Sequence, residues 1–151
     1  MKGLTLLAST ISLGILLGCS PAKPAVEVRD VDDGGRVVQR LTTDSSGTFR
    51  LLFTHSMYGG TVRETYRVDG GTLERSEVRT ENGGAAEYYA PLGNFHQEGA
   101  DWVVDAGIMR LPRLYLSVTP IGKQAIAAGN TRIELGAIMA EGHIAELVAA
   151  P

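Results

Sequence analysis

Residues 49–68 read FRLLFTHSMYGGTVRETYRV, and this stretch decides the fold. Bulky apolar residues alternate with polar ones on both sides of residues 57–60, where paired glycines favour a turn. Because successive side chains of a strand point to opposite faces, alternate residues share a face. We therefore predict a β-hairpin of strands 48–55 and 61–68. Its inward face is predicted to carry Phe49, Leu51, Phe53, His55, Val62, Glu64, Tyr66 and Val68.

The same turn chemistry recurs along the chain. Glycine doublets follow Asp33, Asp69 and Asn82, with β-branched and aromatic residues between them. Such doublets are typical of hairpin turns. The predicted strands are 26–29, 36–41, 48–55, 61–68, 72–79, 102–105, 113–118, 131–135 and 143–148. We therefore predict an all-β fold, an antiparallel β-sandwich or a partly closed β-barrel of about eight to nine short strands. Helical periodicity is weak, and residues 123–128 are the segment that favours a helical turn.

Known ligand loops do not fit the glycine-rich segments. No glycine doublet matches the phosphate-loop patterns GxxxxGK[ST] or GxGxxG. Residues 30–34, Asp-Val-Asp-Asp-Gly, begin like a calcium loop, but Leu41 occupies the twelfth position, where a bidentate Glu is needed. We interpret this run as a solvated hairpin tip. His96 and His143 have no partner at metal-ligand spacing and are interpreted as exposed loop or strand-end residues. We expect no metal and no cofactor.

Glu64 is the candidate site residue of most interest, because an inward carboxylate needs a hydrogen-bond donor. A four-residue turn would set His55 opposite Val62 and diagonal to Glu64, about 7 to 8 Å apart at the backbone. His55, or an arginine such as Arg113, is therefore the expected donor. Two interpretations stay open. The residues form a binding or proton-transfer pair, or they form a structural pair that fixes the strand register, which we favour.

Four further residues are possible contributors to a site. Ser56 follows His55, but neighbours on a strand point to opposite faces, so the two residues cannot form the nucleophile and base of a hydrolase. Tyr66 shares the inward face of the hairpin. Tyr88 and Tyr89 lie in a predicted loop, where they either line a pocket or partner contact or pack over the end of the sandwich. We predict no catalytic residue.

The N-terminus has the pattern of a bacterial lipoprotein signal. Lys2 precedes an apolar run at residues 4–17, and Gly18 stands before Cys19, the one cysteine of the chain. A spanning helix needs about 20 residues, more than this run supplies. A lone thiol in an exported chain needs an explanation, and acylation provides a membrane anchor. We predict a signal peptide at 1–18, a lipidated tether at 19–25 and a single β-rich domain at 26–151.

Charge and the predicted lipid indicate where the protein works. The chain has 14 basic and 17 acidic side chains, and the predicted signal removes only Lys2, which leaves a formal charge of −4. Nucleic-acid binding favours a basic face, so we expect no nucleic-acid partner. Lipid on Cys19 predicts an envelope protein that is anchored to a membrane and faces the periplasm or the exterior. Ser20 slightly favours the outer membrane, and the inner membrane stays open.

Part of the chain resembles a bacterial family, domain-of-unknown-function family 1850. The family signature HS…V.E.(F/Y).V..G.L is similar to His55-Ser56, Val62, Glu64, Tyr66 and the glycine turn before Leu73. The resemblance covers roughly residues 47–136. Genes of that family are often found beside permeases of TAXI-type TRAP transporters. The resemblance implies a non-catalytic accessory or binding domain for solute transport, with a TRAP permease or solute-binding protein as partner. A free-standing envelope lipoprotein with a structural or interaction role, and a hydrolase with an unrecognised site, are the alternatives.

Overall fold

The computed structural model describes residues 23–90, 94–105 and 107–150. The predicted signal peptide and Cys19 lie outside these residues. Within the described ranges no helix has the length and apolarity needed to cross a membrane. The elements are β1 (Ala25–Asp30), β2 (Arg36–Thr42), β3 (Thr48–Thr54), β4 (Thr61–Asp69), β5 (Thr72–Thr80), α1 (Gly83–Tyr89), β6 (Phe95–Glu98), β7 (Asp101–Val104), β8 (Met109–Leu111), β9 (Arg113–Ser117), β10 (Ala125–Ala128), β11 (Thr131–Glu134), a short 3-10 helix (Leu135–Ala137) and β12 (Ile144–Ala150).

The strands form two sheets of a sandwich-like β fold. The four-stranded sheet has the order β2-β1-β12-β9. The eight-stranded sheet has the order β11-β10-β3-β4-β5-β7-β6, with β8 paired to the first part of β5. The pairings between described strands are antiparallel. The predicted fold class is confirmed as an antiparallel sandwich, and the described strands do not close into a barrel.

The central hairpin is confirmed, but its register differs from the prediction. β3 and β4 pair Phe53 with Val62, and Glu64 and Tyr66 are buried as expected. The connection between the strands has six residues rather than four, so His55 lies beyond the last strand pair. A shift of two residues keeps every side chain on its predicted face, because strand side chains repeat every second residue.

Two clusters of apolar side chains hold the fold together. The larger cluster draws on both sheets and includes Val28, Phe49 and Leu147. The smaller cluster lies where α1 packs on the eight-stranded sheet and includes Ala85 and Ala86 of that helix. Small residues allow α1 to approach the sheet closely, which brings its last turn toward the β3–β4 connection.

Three local predictions are wrong. Ala125–Ala128 forms β10 rather than a helical turn, because pairing with β3 on one side and β11 on the other overrides the helix preference of alanine. Tyr88 and Tyr89 end helix α1 rather than lie in a loop. The third glycine doublet opens that helix, with Asn82 as the N-cap residue. Asparagine suits turns and N-caps alike, so the sequence signal is shared by both structures.

Candidate functional site

A cavity of about 560 Å³ opens at one end of the sandwich. It lies between the β3–β4 connection, the last turn of α1 and the segment that follows β9. Four residues singled out from the sequence, His55, Ser56, Tyr88 and Tyr89, line it together. The rest of the lining consists of Phe53, Thr54, Met57, Ser117, Thr119, Ile121, Gly122 and Gln124. We call this cavity the aromatic pocket.

The aromatic pocket is lined by uncharged side chains and has an apolar rim. None of its described lining residues is Asp, Glu, Lys or Arg. Met57 is 71% exposed, Tyr88 61% and Ile121 73%. Exposed apolar side chains grouped beside a concave pocket are typical of binding sites.

His55 is held in the pocket wall by its own loop. Its Nδ1 accepts hydrogen bonds from the backbone N–H groups of Met57 and Tyr58, both at 3.3 Å. Its ring also contacts the rings of Tyr58 and Tyr88, with centroids 5.1 Å apart in each case. An accepting Nδ1 places the hydrogen of the neutral ring on Nε2. His55 is buried, 8% exposed, and lines the pocket, and its Nε2 makes no hydrogen bond to the described residues, so Nε2 is the ring nitrogen left to donate to a ligand.

The start of α1 fixes Tyr58 beside His55. Asn82 Oδ1 accepts the N–H of Gly84 at 2.8 Å, and Asn82 Nδ2 donates to the carbonyl oxygen of Tyr58 at 2.9 Å. A Cβ on Gly84 would lie 2.8 Å from the Tyr58 ring. Glycine is therefore required here for a close approach rather than for a hairpin turn. Sequence reasoning missed Asn82, although asparagine before a short run of small residues is an N-cap signal.

Behind the pocket, the inward carboxylate of Glu64 is fully paired. Its Oε1 accepts a hydrogen bond from the Tyr89 hydroxyl at 2.8 Å and another from Arg75 Nη1 at 3.2 Å. Its Oε2 accepts a hydrogen bond from the Tyr66 hydroxyl at 2.5 Å. No hydrogen bond among the described residues joins His55 to Glu64. The predicted contact between these two residues is therefore wrong, and a functional role for either stays a prediction.

A β-bulge explains why Arg75 reaches the buried carboxylate. β4 and β5 pair Thr65 with Glu77 but Tyr66 with Arg75, so Ser76 is an extra residue in β5. The extra residue turns Arg75 onto the inward face. Without it, the two-residue period of a strand would leave Arg75 facing outward with Glu77. Sequence reasoning had no signal for this arginine.

The buried network keeps its two tyrosines neutral. Burial raises the pKa of Tyr89 well above its ordinary value of 10.0, and the negative charge of Glu64 adds to the rise. The same two causes raise the pKa of Tyr66. The Arg75 guanidinium also lies 5.6 Å from the centre of the Tyr89 ring. Tyr89 therefore serves as a hydrogen-bond donor and as a wall of the aromatic pocket.

Arg113, the other predicted donor for Glu64, lies elsewhere. It is the first residue of β9 in the four-stranded sheet, and its Nη1 donates to Glu146 Oε1 at 2.9 Å. The hydroxyl of Tyr115 donates to the same oxygen at 2.9 Å. The prediction that Arg113 pairs with Glu64 is therefore wrong, and Arg113 does not line the aromatic pocket.

Gln124 connects the two sheets at the pocket. Its Nε2 donates to the Ser117 carbonyl oxygen at 2.9 Å, and its Oε1 accepts the backbone N–H of Thr119 at 3.1 Å. The side-chain amide thereby pairs two backbone groups as a neighbouring strand would. Thr119 and Gln124 also line a second cavity of about 520 Å³. That cavity is bordered by charged side chains and contains none of the candidate residues from the sequence.

Among the described residues, Asp30, Asp32 and His143 form one group whose possible metal-ligand atoms lie within 4.8 Å of one another. His143 Nδ1 lies 2.9 Å from Asp30 Oδ2, and Asp32 accepts the N–H of Ile144 at 2.7 Å. The hydrogen bond to Asp30 raises the pKa of His143, and the same bond lowers the pKa of Asp30. These internal bonds account for the group, and we assign no ion to it. The strand predicted to begin at His143 begins instead at Ile144. His143 is half-buried and paired with Asp30 rather than exposed and alone, and Asp30 is buried although residues 31–35 form a solvated tip.

Comparisons with known proteins find no relative of this chain. No family model, no curated protein and no solved structure matches the chain. The resemblance to domain-of-unknown-function family 1850 therefore stays a prediction.

Proposed function

We propose that this chain is a lipid-anchored, extracytoplasmic binding protein that serves TAXI-type TRAP solute transport without catalysing a reaction. The aromatic pocket is its binding site, and a TRAP permease or solute-binding protein is its partner. The anchor is supported by the lipoprotein pattern that ends at Cys19, and the transport role by the family resemblance of residues 47–136.

One observation carries the proposal: His55, Ser56, Tyr88 and Tyr89 meet in a single uncharged pocket with an exposed apolar rim. Aromatic walls favour the burial of an apolar group. The Nε2–H of His55 adds one oriented donor for an acceptor on that group. A mostly apolar pocket with few polar anchors is the usual form of a binding site.

The polar groups of the pocket support recognition rather than catalysis. An activated nucleophile needs a base within hydrogen-bond reach. The described residues make no hydrogen bond to the Ser56 hydroxyl, His55 Nδ1 is occupied by two backbone N–H groups, and the Tyr89 hydroxyl is engaged by Glu64. These groups therefore favour a binding pocket with fixed walls and one hydrogen-bond donor.

Solute uptake tests the proposal. A strain without the chromosomal gene is complemented with wild-type protein, Tyr88→Ala or Tyr115→Ala, and TRAP-dependent uptake of labelled solute is measured at equal protein abundance. We expect Tyr88→Ala to lose uptake, because it removes a largely exposed wall of the pocket without opening the core. Tyr115 is an exposed tyrosine outside the pocket, so its variant should retain uptake. Full uptake with Tyr88→Ala, or in the strain without the gene, would overturn the proposal.

A further inference from the structure

The second cavity, of about 520 Å³, differs from the aromatic pocket in its chemistry. Its described lining includes two residues of each charge, Lys123 and Arg132 together with Glu134 and Glu141, and no aromatic residue. Small-molecule sites usually have volumes of about 300 to 1,000 Å³, so the cavity has room for a small ligand. We call it the charged cavity.

Two of the four charges in the charged cavity have no partner among the described residues. Arg132 Nε and Glu134 Oε1 pair with each other at 2.7 Å. Lys123 and Glu141 make no ion pair and no side-chain hydrogen bond with the described residues, including each other. The cavity therefore presents one unpaired cation and one unpaired anion, which is complementary to a ligand that carries both charges.

The fold ties the backbone of both unpaired residues to one short segment. Gly142, which follows Glu141, donates its N–H to the Val118 carbonyl oxygen at 2.8 Å. Lys123 donates its own N–H to the Thr119 carbonyl oxygen at 3.2 Å. The attachment points of the two side chains are therefore set before a ligand arrives, which lowers the ordering cost of binding.

Lys123 adopts a backbone conformation that disfavours a side chain. Its φ is 46°, and the other described residues with positive φ are all glycines. Glycine adopts this φ without strain, whereas a residue with a Cβ does so at a cost. Strain of this kind is typical of functional positions. Since the turn itself favours glycine, the ammonium group is what lysine adds at this position.

We infer that the charged cavity binds a free amino acid as a zwitterion, with its carboxylate on the Lys123 ammonium and its ammonium on the Glu141 carboxylate. A ligand with a net charge is disfavoured, because the four charged lining residues sum to zero. A quaternary ammonium zwitterion is disfavoured as well, because it cannot donate a hydrogen bond to Glu141 and the described lining has no aromatic face to hold it. This site goes beyond the proposed function, since it does not involve the partner of the aromatic pocket.

Thermal stabilisation by amino acids tests the site, because a ligand of the folded state raises the melting temperature. The protein, purified from membranes in detergent, is melted with a mixture of the common L-amino acids, with acetate or with methylammonium. We expect the mixture to raise the melting temperature of wild type and the two probes of single charge to leave it unchanged.

Calorimetry with the amino acid that stabilises wild type then tests the two charges. Lys123→Met and Glu141→Gln should each weaken the Kd about tenfold or more. Lys23→Met and Glu87→Gln are the matched controls, because they change exposed residues outside the charged cavity, and they should bind like wild type.

Lys123→Gly separates binding from folding. This variant relieves the positive φ, so without ligand it should melt no lower than wild type, yet it should lose the stabilisation by the mixture. Tyr88→Ala should keep that stabilisation, because Tyr88 lines the aromatic pocket and not the charged cavity. Failure of this site and failure of the proposed function are thereby distinguished. No stabilisation of wild type by the mixture, an equal effect of acetate, or equal affinities of Lys123→Met and Lys23→Met would overturn the amino acid site.

Discussion

The hydroxyl of Tyr89 donates a 2.8 Å hydrogen bond to Oε1 of Glu64, the same oxygen that accepts from Arg75. A buried ion pair between β4 and β5 thereby holds one wall of the aromatic pocket. Because α1 has only seven residues, tertiary contacts rather than helix propensity fix its last turn. Within the proposed function, Glu64 positions Tyr89 and does not itself touch the ligand.

Replacing Glu64 with Gln is expected to lower the free energy of unfolding by about 3 kcal/mol, because it leaves the largely buried Arg75 guanidinium without a countercharge. A double variant, Glu64→Gln with Arg75→Met, should recover part of that loss. Chemical denaturation measures both variants. Glu134→Gln, which breaks an exposed ion pair with Arg132, is the control and should change the free energy of unfolding by less than about 0.5 kcal/mol. A Glu64→Gln variant as stable as wild type would refute this role of the pair.

Gly84→Ala is expected to destabilise the protein by about 1 to 3 kcal/mol, because the added Cβ would lie 2.8 Å from the Tyr58 ring. The loss should occur although alanine is the better helix former. Tyr58→Ala in the same chain should relieve the clash, so the double variant should be more stable than the two single losses predict. Gly136→Ala, which meets nothing within 4 Å, is the control. A raised melting temperature for Gly84→Ala would contradict the close approach.

The pair of His143 and Asp30 makes stability depend on pH. The folded pKa of His143 is raised above 6.5, so its contribution is fully present below that value and is lost as pH rises through the folded pKa. The folded pKa of Asp30 is lowered below 3.8, so its contribution is present above that value and is lost as pH falls through the folded pKa. We therefore expect the melting temperature of wild type to exceed that of His143→Gln most clearly between pH 3.8 and 6.5.

The difference in melting temperature between wild type and His143→Gln should shrink as pH rises above 6.5, where His143 loses its proton. Asp30→Asn removes the charged partner of His143, so the melting temperature of this variant should lack the same pH dependence. A difference that stays constant from acid to alkaline pH would show that the charge on His143 does not contribute.

Cys19→Ser is expected to abolish acylation and processing at this site, because serine has no thiol to accept the lipid. Mass spectrometry of the envelope protein should show a lipid-modified N-terminus at Cys19 for wild type and an unprocessed chain for the variant. A wild-type N-terminus without lipid, or cleavage at another residue, would refute the lipoprotein prediction.

Alternation along residues 49–68 was enough to predict the hairpin and the burial of Glu64, since one face of a strand must enter the core. The register could not be predicted, because the six-residue connection is shaped by bonds to His55 Nδ1 rather than by a standard two-residue turn. The pairing of Glu64 with Arg75 depends on a bulge at Ser76, which breaks the two-residue period and leaves no pattern in the sequence.

The pocket was predictable in its parts but not in its assembly. His55, Ser56, Tyr88 and Tyr89 were candidates on chemical grounds, and the structure places all four in one cavity. Their meeting depends on α1, which is too short to show helical periodicity and begins at a glycine doublet that resembles a hairpin turn. The signature of a turn and that of an N-cap coincide at Asn82, so tertiary packing decides between them.

Two exposed isoleucines give the most direct test of the binding role of the aromatic pocket. Ile121 on the pocket rim is 73% exposed, and Ile108, outside the pocket, is 69% exposed. Calorimetry measures the binding of purified TRAP solute-binding protein to wild type, Ile121→Glu and Ile108→Glu. We expect Ile121→Glu to weaken the Kd about tenfold or more, because a carboxylate would lose its water against an apolar partner, and Ile108→Glu to leave it unchanged. Equal affinity of the two variants, or no binding by wild type, would contradict the assignment of the pocket as the binding site.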